Sequence, residues 1–100
     1  MNPAQANSTH PQARSDVLGE FLADGSAVLF DPLTSVAHEL NPTAALVWDW
    51  CDGEHSADQI VAAVEECFGT GGQDCRRDVY YFLAYLEGLG LLARAGEQHP

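Results

Sequence analysis

Hydrophobic and polar positions fall into two kinds of pattern along the chain. In its first half, apolar residues come in short runs broken by turn residues: residues 17–22 and 27–30 flank Asp24-Gly25-Ser26, which predicts a hairpin. Asp31-Pro32-Leu33-Thr34 marks a second turn, and residues 35–40 then alternate small or polar with larger side chains. The alternation predicts a third, half-buried strand with Ser35, Ala37 and Glu39 outward and Val36, His38 and Leu40 toward the core.

After residue 40 the period changes. Asn41-Pro42 is a helix entry, an Asn cap followed by a Pro that loses nothing at the first helical position. The helix it opens carries Ala45, Leu46, Trp48 and Trp50 and stops before Gly53. Ser56 with Gln59 forms a capping box ahead of Ile60, Val61, Val64 and Phe68, and Gly69 closes this second helix. Asp74 is placed to cap a third helix in which Val79, Phe82, Leu83, Leu86 and Leu89 share one face. Gly88 and Gly90 end it, leaving Leu91-Leu92 as a short extended segment. Three strands followed by three helices predict an α+β fold, a small winged-helix-like domain with a three-stranded antiparallel sheet.

The ends differ from the middle. Residues 1–16 contain no Val, Ile, Leu or aromatic residue, so they are expected to form a disordered tail. The folded domain is expected over 17–94, with a flexible tail at 95–100. A chain of 100 residues with 46% hydrophobic content supports one core and excludes two.

Charge narrows the function classes. Fifteen Asp and Glu against four Arg and no Lys give a formal net charge of -11, the wrong sign for phosphate neutralisation, so nucleic acid is not an expected partner. No run approaches a membrane span and no secretory signal pattern opens the chain, which points to the cytoplasm. Cys51, Cys67 and Cys75 contain no CxxC pair and, with the scattered His10, His38, His55 and His99, match no zinc pattern. They read as reduced thiols, buried or half-buried, although Cys75 beside Arg76 and Arg77 near a helix start is open to a reactive reading. No nucleophile–base constellation, phosphate loop or metal set is present, so neither catalytic residues nor a cofactor is expected.

A binding module fits better. Tyr81 and Tyr85 lie four apart beside Phe82 and add a second apolar stripe to the third helix. They either cap the edge of the core or form a peptide contact. An unpaired edge on the third strand, with the third helix as the opposite wall, would accept an extended peptide. About four new backbone hydrogen bonds at roughly 0.5–1.5 kcal/mol each fall short of the about 8 kcal/mol of micromolar binding, so buried apolar anchors must add the difference.

Several segments together resemble the PqqD-like family: Val28-Leu29-Phe30-Asp31, Leu40-Asn41-Pro42-Thr43-Ala44-Ala45, Trp48, Cys51-Asp52-Gly53-Glu54-His55-Ser56 with Ile60, and Asp78-Val79 through Leu86 to Gly90-Leu91-Leu92. The resemblance spans residues 17–94. It implies a noncatalytic RiPP recognition element, a peptide chaperone that binds the leader of a ribosomally made precursor and presents it to a modifying enzyme such as a radical SAM enzyme, a cyclase or a leader peptidase. It implies further that the leader joins the third strand as an antiparallel strand against the third helix. On this sequence the peptide-binding residues are then Ser35, Val36, Ala37, His38, Glu39, Leu40, Asp78, Tyr81, Phe82 and Tyr85. The Asn41-Pro42 and Asp52-Gly53 motifs read as a cap and a turn. The alternatives are a winged-helix DNA-binding regulator, whose recognition helix would hold only Arg76 and Arg77 at its start, and a thiol-dependent enzyme using Cys75.

Overall fold

The computed structural model describes residues 10–69 and 72–93, leaving out the side chains of 72 and 73. Strands β1 (Leu18–Phe21), β2 (Ala27–Asp31) and β3 (Val36–Leu40) form one antiparallel sheet in the order β1-β2-β3. Helices α1 (Pro42–Asp49), α2 (Ala57–Phe68) and α3 (Gly72–Gly88) follow. The predicted α+β order is the observed one.

The local signals act as their chemistry requires. Asn41 Oδ1 accepts from Ala44 N at 2.8 Å, and Pro42 occupies the first turn of α1. At α2, Ser56 Oγ accepts from Gln59 N while Gln59 Oε1 accepts from Ser56 N, a reciprocal cap worth about 1 kcal/mol. Gly69 ends α2 at φ 65, where a side chain would be strained. The helix α3 begins at Gly72, earlier than Asp74 predicts, so Asp74 lies inside the first turn, where its charge favours the helix dipole.

The core lies between one face of the sheet and the three helices. Leu29, Ile60, Leu86 and Leu91 are completely buried, each worth about 2–3 kcal/mol against exposure. Val79 and Leu83 are buried on α3 as its period predicts, and Phe82 and Leu89 pack against the cluster half-buried.

The expected tail is where the sequence reading needs correction. Residues 1–9 and 94–100 lie outside the described residues, but residues 11–14 are built into the domain. Ala13 N donates to Cys51 O at 2.7 Å, Arg14 N to Leu91 O at 2.9 Å, Gly53 N to Pro11 O at 3.0 Å and Ala93 N to Gln12 O at 2.7 Å. Arg14 then reaches the buried Asp31 with both terminal guanidinium nitrogens, at 3.2 and 3.0 Å, and also binds Asp16 and Gly90 O. Backbone pairing and one buried ion pair hold a segment whose apolar content alone would not. Asp31, read as a turn residue, is the last residue of β2 and the one buried charged side chain among the described residues.

Asp52-Gly53 serves the same junction. The Asp52 carboxylate accepts from Glu54 N and His55 N, and these backbone donors with the His55 ring hold it below the usual carboxylate range. Gly53 sits at φ +81, a left-handed conformation that strains a side chain, and an added Cβ would also force the Gln12 side chain aside.

Candidate functional site

The register of β3 fixes which of its side chains share a face. Ala27 pairs with Leu40, Leu29 with His38 and Asp31 with Val36, so these residues point to the helices; Val28 pairs with Glu39 and Phe30 with Ala37, so these point away. Leu40 is buried and His38 half-buried, as the alternation predicts. Val36, the first residue of the strand, is 44% exposed instead of buried. Ser35 lies outside the strand. It occupies a tight turn at φ 60 and donates its N–H to Asp31 O at 2.8 Å, so its backbone is committed to the β2–β3 turn.

On its other side β3 has no strand partner among the described residues. A row of backbone N–H and C=O groups is therefore open to pairing. The opposite edge, β1, also has no second strand partner among the described residues, and its Gly19 packs close to the core, where a Cβ would stand 3.3 Å from Leu29 Cδ2 and 3.4 Å from Trp48 Nε1. Helix α1 is the shared packing neighbour of β3 and α3.

The aromatic residues of α3 divide as the two-stripe pattern implies. Phe82 packs against the core, and its ring stacks on Tyr85 with centroids 6.1 Å apart. Tyr81 and Tyr85 are 77% and 54% exposed, so they are not core residues, and Asp78 is exposed one turn earlier on the same side. Asp78, Tyr81, Phe82 and Tyr85 thus lie on one side of α3 and Val36 to Leu40 on β3, two elements that share α1 as a packing neighbour. Tyr80 belongs elsewhere: its hydroxyl donates to Asp58 at 2.8 Å, holding that carboxyl below its usual range, and Arg76 covers its ring while pairing with Asp58.

The structure bears on both alternative readings. Arg76 is tied to Asp58, and Arg77 lies 3.5 Å from Asp74 and 4.0 Å from Asp78, so the cations of α3 already face carboxylates. Cys75 is buried with its thiol directed at Val61 O. Cys51 is buried too, and burial pushes its thiol up to about 12, away from thiolate reactivity. Cys67, expected to be at least half-buried, is exposed. Among the described residues no three His, Cys, Asp or Glu side chains gather as metal ligands, and no helix is long and apolar enough to cross a membrane.

The sequence reading missed two features near this edge. Phe30 and Leu18 form an exposed apolar row with Ala37 across the outer face, a register-level fact that the short run 27–30 does not reveal. The Arg14–Asp31 pair joins residues 17 apart and carries no local motif.

The family model for coenzyme PQQ synthesis protein D (PqqD) matches residues 26–92. The chain belongs to the PqqD family. Three solved structures resemble this PqqD-family chain. TbiB1 in complex with the TbiA(beta) leader peptide is 20% identical, with 89% of this chain and 98% of that one covered and a TM-score of 0.73. Lasso peptide synthetase B1 complexed with the leader peptide is 21% identical, covering 84% and 98%, with a TM-score of 0.72. The PqqD truncation of Methylobacterium extorquens PqqCD, described as a functional and stand-alone RiPP recognition element, is 22% identical, covering 84% and 88%, with a TM-score of 0.67. At these identities the likeness is one of fold. No curated protein matches the chain.

Proposed function

We propose that this PqqD-family chain is a noncatalytic RiPP recognition element that binds the leader of a ribosomally synthesised precursor peptide and presents it to a modifying enzyme in the cytoplasm. The observation that carries the reading is the unpaired edge of β3. Family membership supports it, as do two structural relatives that are themselves complexes with leader peptides.

In this reading the leader adds to β3 as an antiparallel fourth strand along Val36, Ala37, His38, Glu39 and Leu40. Ser35 marks the end of the pairing. Side chains on the leader's inner face pack toward Asp78, Tyr81, Phe82 and Tyr85, where exposed aromatic surface supplies the apolar burial that backbone bonds alone leave lacking. Chemistry on the precursor belongs to a second polypeptide, for which a radical SAM enzyme, a cyclase and a leader peptidase are the candidate classes.

The test is calorimetric titration of the full chain with the N-terminal segments of any short peptides encoded near its gene. Saturable 1:1 binding at micromolar or tighter affinity, abolished by scrambling the peptide, is the expected result. Heat indistinguishable from dilution at 100 µM peptide, roughly a hundred times a micromolar Kd, contradicts the proposal.

A further inference from the structure

The outer face of the sheet carries a short charge-and-shape pattern that the inner face does not. Across the three strands, Glu20, Val28 and Glu39 form one row, and Leu18, Phe30 and Ala37 the next. Glu39 is exposed and has no cationic partner among the described residues. The described arginines are all directed elsewhere: Arg14 to Asp16 and Asp31, Arg76 to Asp58, Arg77 to Asp74 and Asp78. The sequence contains no lysine. Beside Glu39, the direct neighbour of the exposed Phe30 is only a methyl group, Ala37.

A strand added to β3 would place one side chain directly opposite Glu39, about 5 Å away by ordinary cross-strand geometry, and another opposite Ala37. A carboxylate opposite Glu39 is repelled and a cation is attracted. A large apolar side chain opposite Ala37 reaches across the methyl toward Phe30, whereas a small one leaves that ring bare. We infer that Glu39 is a specificity-determining residue which selects a lysine or arginine in the bound leader, with a large apolar residue two positions later read by the Ala37–Phe30 row. The inference rests on strand addition to β3. Antiparallel pairing fixes the order as cation first, apolar residue second, because β3 runs from Ala37 to Glu39 while the leader runs the other way.

A random dodecapeptide library displayed on phage, selected against the full chain at about 50 mM salt, tests this. Selected peptides are expected to share an alternating apolar pattern containing Lys/Arg-x-large apolar. Selection against Glu39→Lys is expected to replace the cation by Asp or Glu at that one position, with a preference change of about fivefold or more. Glu39→Gln is expected to erase the preference without reversing it. Glu20→Lys, which makes the same change in net charge on the far edge, is expected to leave selection as in the parent chain. If the apolar alternation is selected but the charged position does not follow Glu39, or follows Glu20 equally, the role of Glu39 is overturned while strand addition stands. If no alternating pattern is enriched over the unselected library, strand addition itself is overturned.

Discussion

At one side of the domain, residues 11–14 meet backbone partners at Cys51, Gly53, Leu91 and Ala93, and Arg14 locks them to a buried carboxylate. Along the free side of β3 nothing among the described residues does the same. The two regions face the same physical demand, since unpaired backbone groups call for partners. The chain spends its own N-terminal segment on the junction of α1, α2 and the exit of α3, not on the strand edge. We read the open edge of β3, in a protein that closes its N-terminal seam with four backbone bonds and an ion pair, as the surface proposed above for another chain.

The closed seam gives the largest expected effect. Arg14→Leu leaves Asp31 buried without its cation, and thermal denaturation should show Tm lowered by about 10 °C or more. Leader affinity per folded molecule should not change, because Asp31, although paired with Val36, belongs to β2 and leaves the free edge of β3 untouched; a parallel loss of affinity would join the two regions that the comparison separates. The same seam predicts a pH dependence. Hydrogen bonds from Arg14 hold the carboxyls of Asp31 and Asp16 below the ordinary 3.8. Groups with depressed pKa values in the folded state contribute fully above that value and lose their contribution as pH falls below it. The parent chain should lose stability on acidification from about pH 4 downward more steeply than Arg14→Leu, in denaturant melts taken at successive pH values.

At the open edge, Ala37→Pro should weaken leader binding tenfold or more by removing an N–H and holding φ away from the strand value. Circular dichroism must first show that the sheet persists, and unchanged affinity in a folded variant would remove β3 from the site. Tyr85→Ala should act more gently, lowering affinity about fivefold while Tm moves by a few degrees, since its ring is more than half exposed. A large stability loss with affinity intact would make it a core residue. The smallest effect is chemical: iodoacetamide at pH 7.5 should label Cys67 alone in the native chain, counted by mass spectrometry, because Cys51 and Cys75 are buried. Rapid labelling of Cys75 would restore a thiol-based activity.

Most of the fold was legible because it is written locally. Asn41-Pro42, the Ser56–Gln59 box and the α3 stripe each join a residue type to a geometry within four residues of itself. What the sequence concealed depends on distant partners. The N-terminal segment has the composition of a tail, and only the folded positions of Cys51, Leu91 and Asp31 give it bonds worth its ordering entropy. Val36 follows the alternation in direction but not in burial, since burial depends on what packs over a side chain. The tyrosines were recognisable as surplus apolar surface on α3, whereas the bare flank of Phe30 beside Ala37 depends on a register that no single segment encodes.

Residue-resolved amide exchange of the full chain, with and without a leader peptide that binds in the calorimetric titration, tests the central claim most directly. The account predicts that amides of β3 between Val36 and Leu40 gain protection on binding, while those of β1 between Leu18 and Phe21 exchange as before. Protection gained along β1, or on the helices with β3 unchanged, would contradict it.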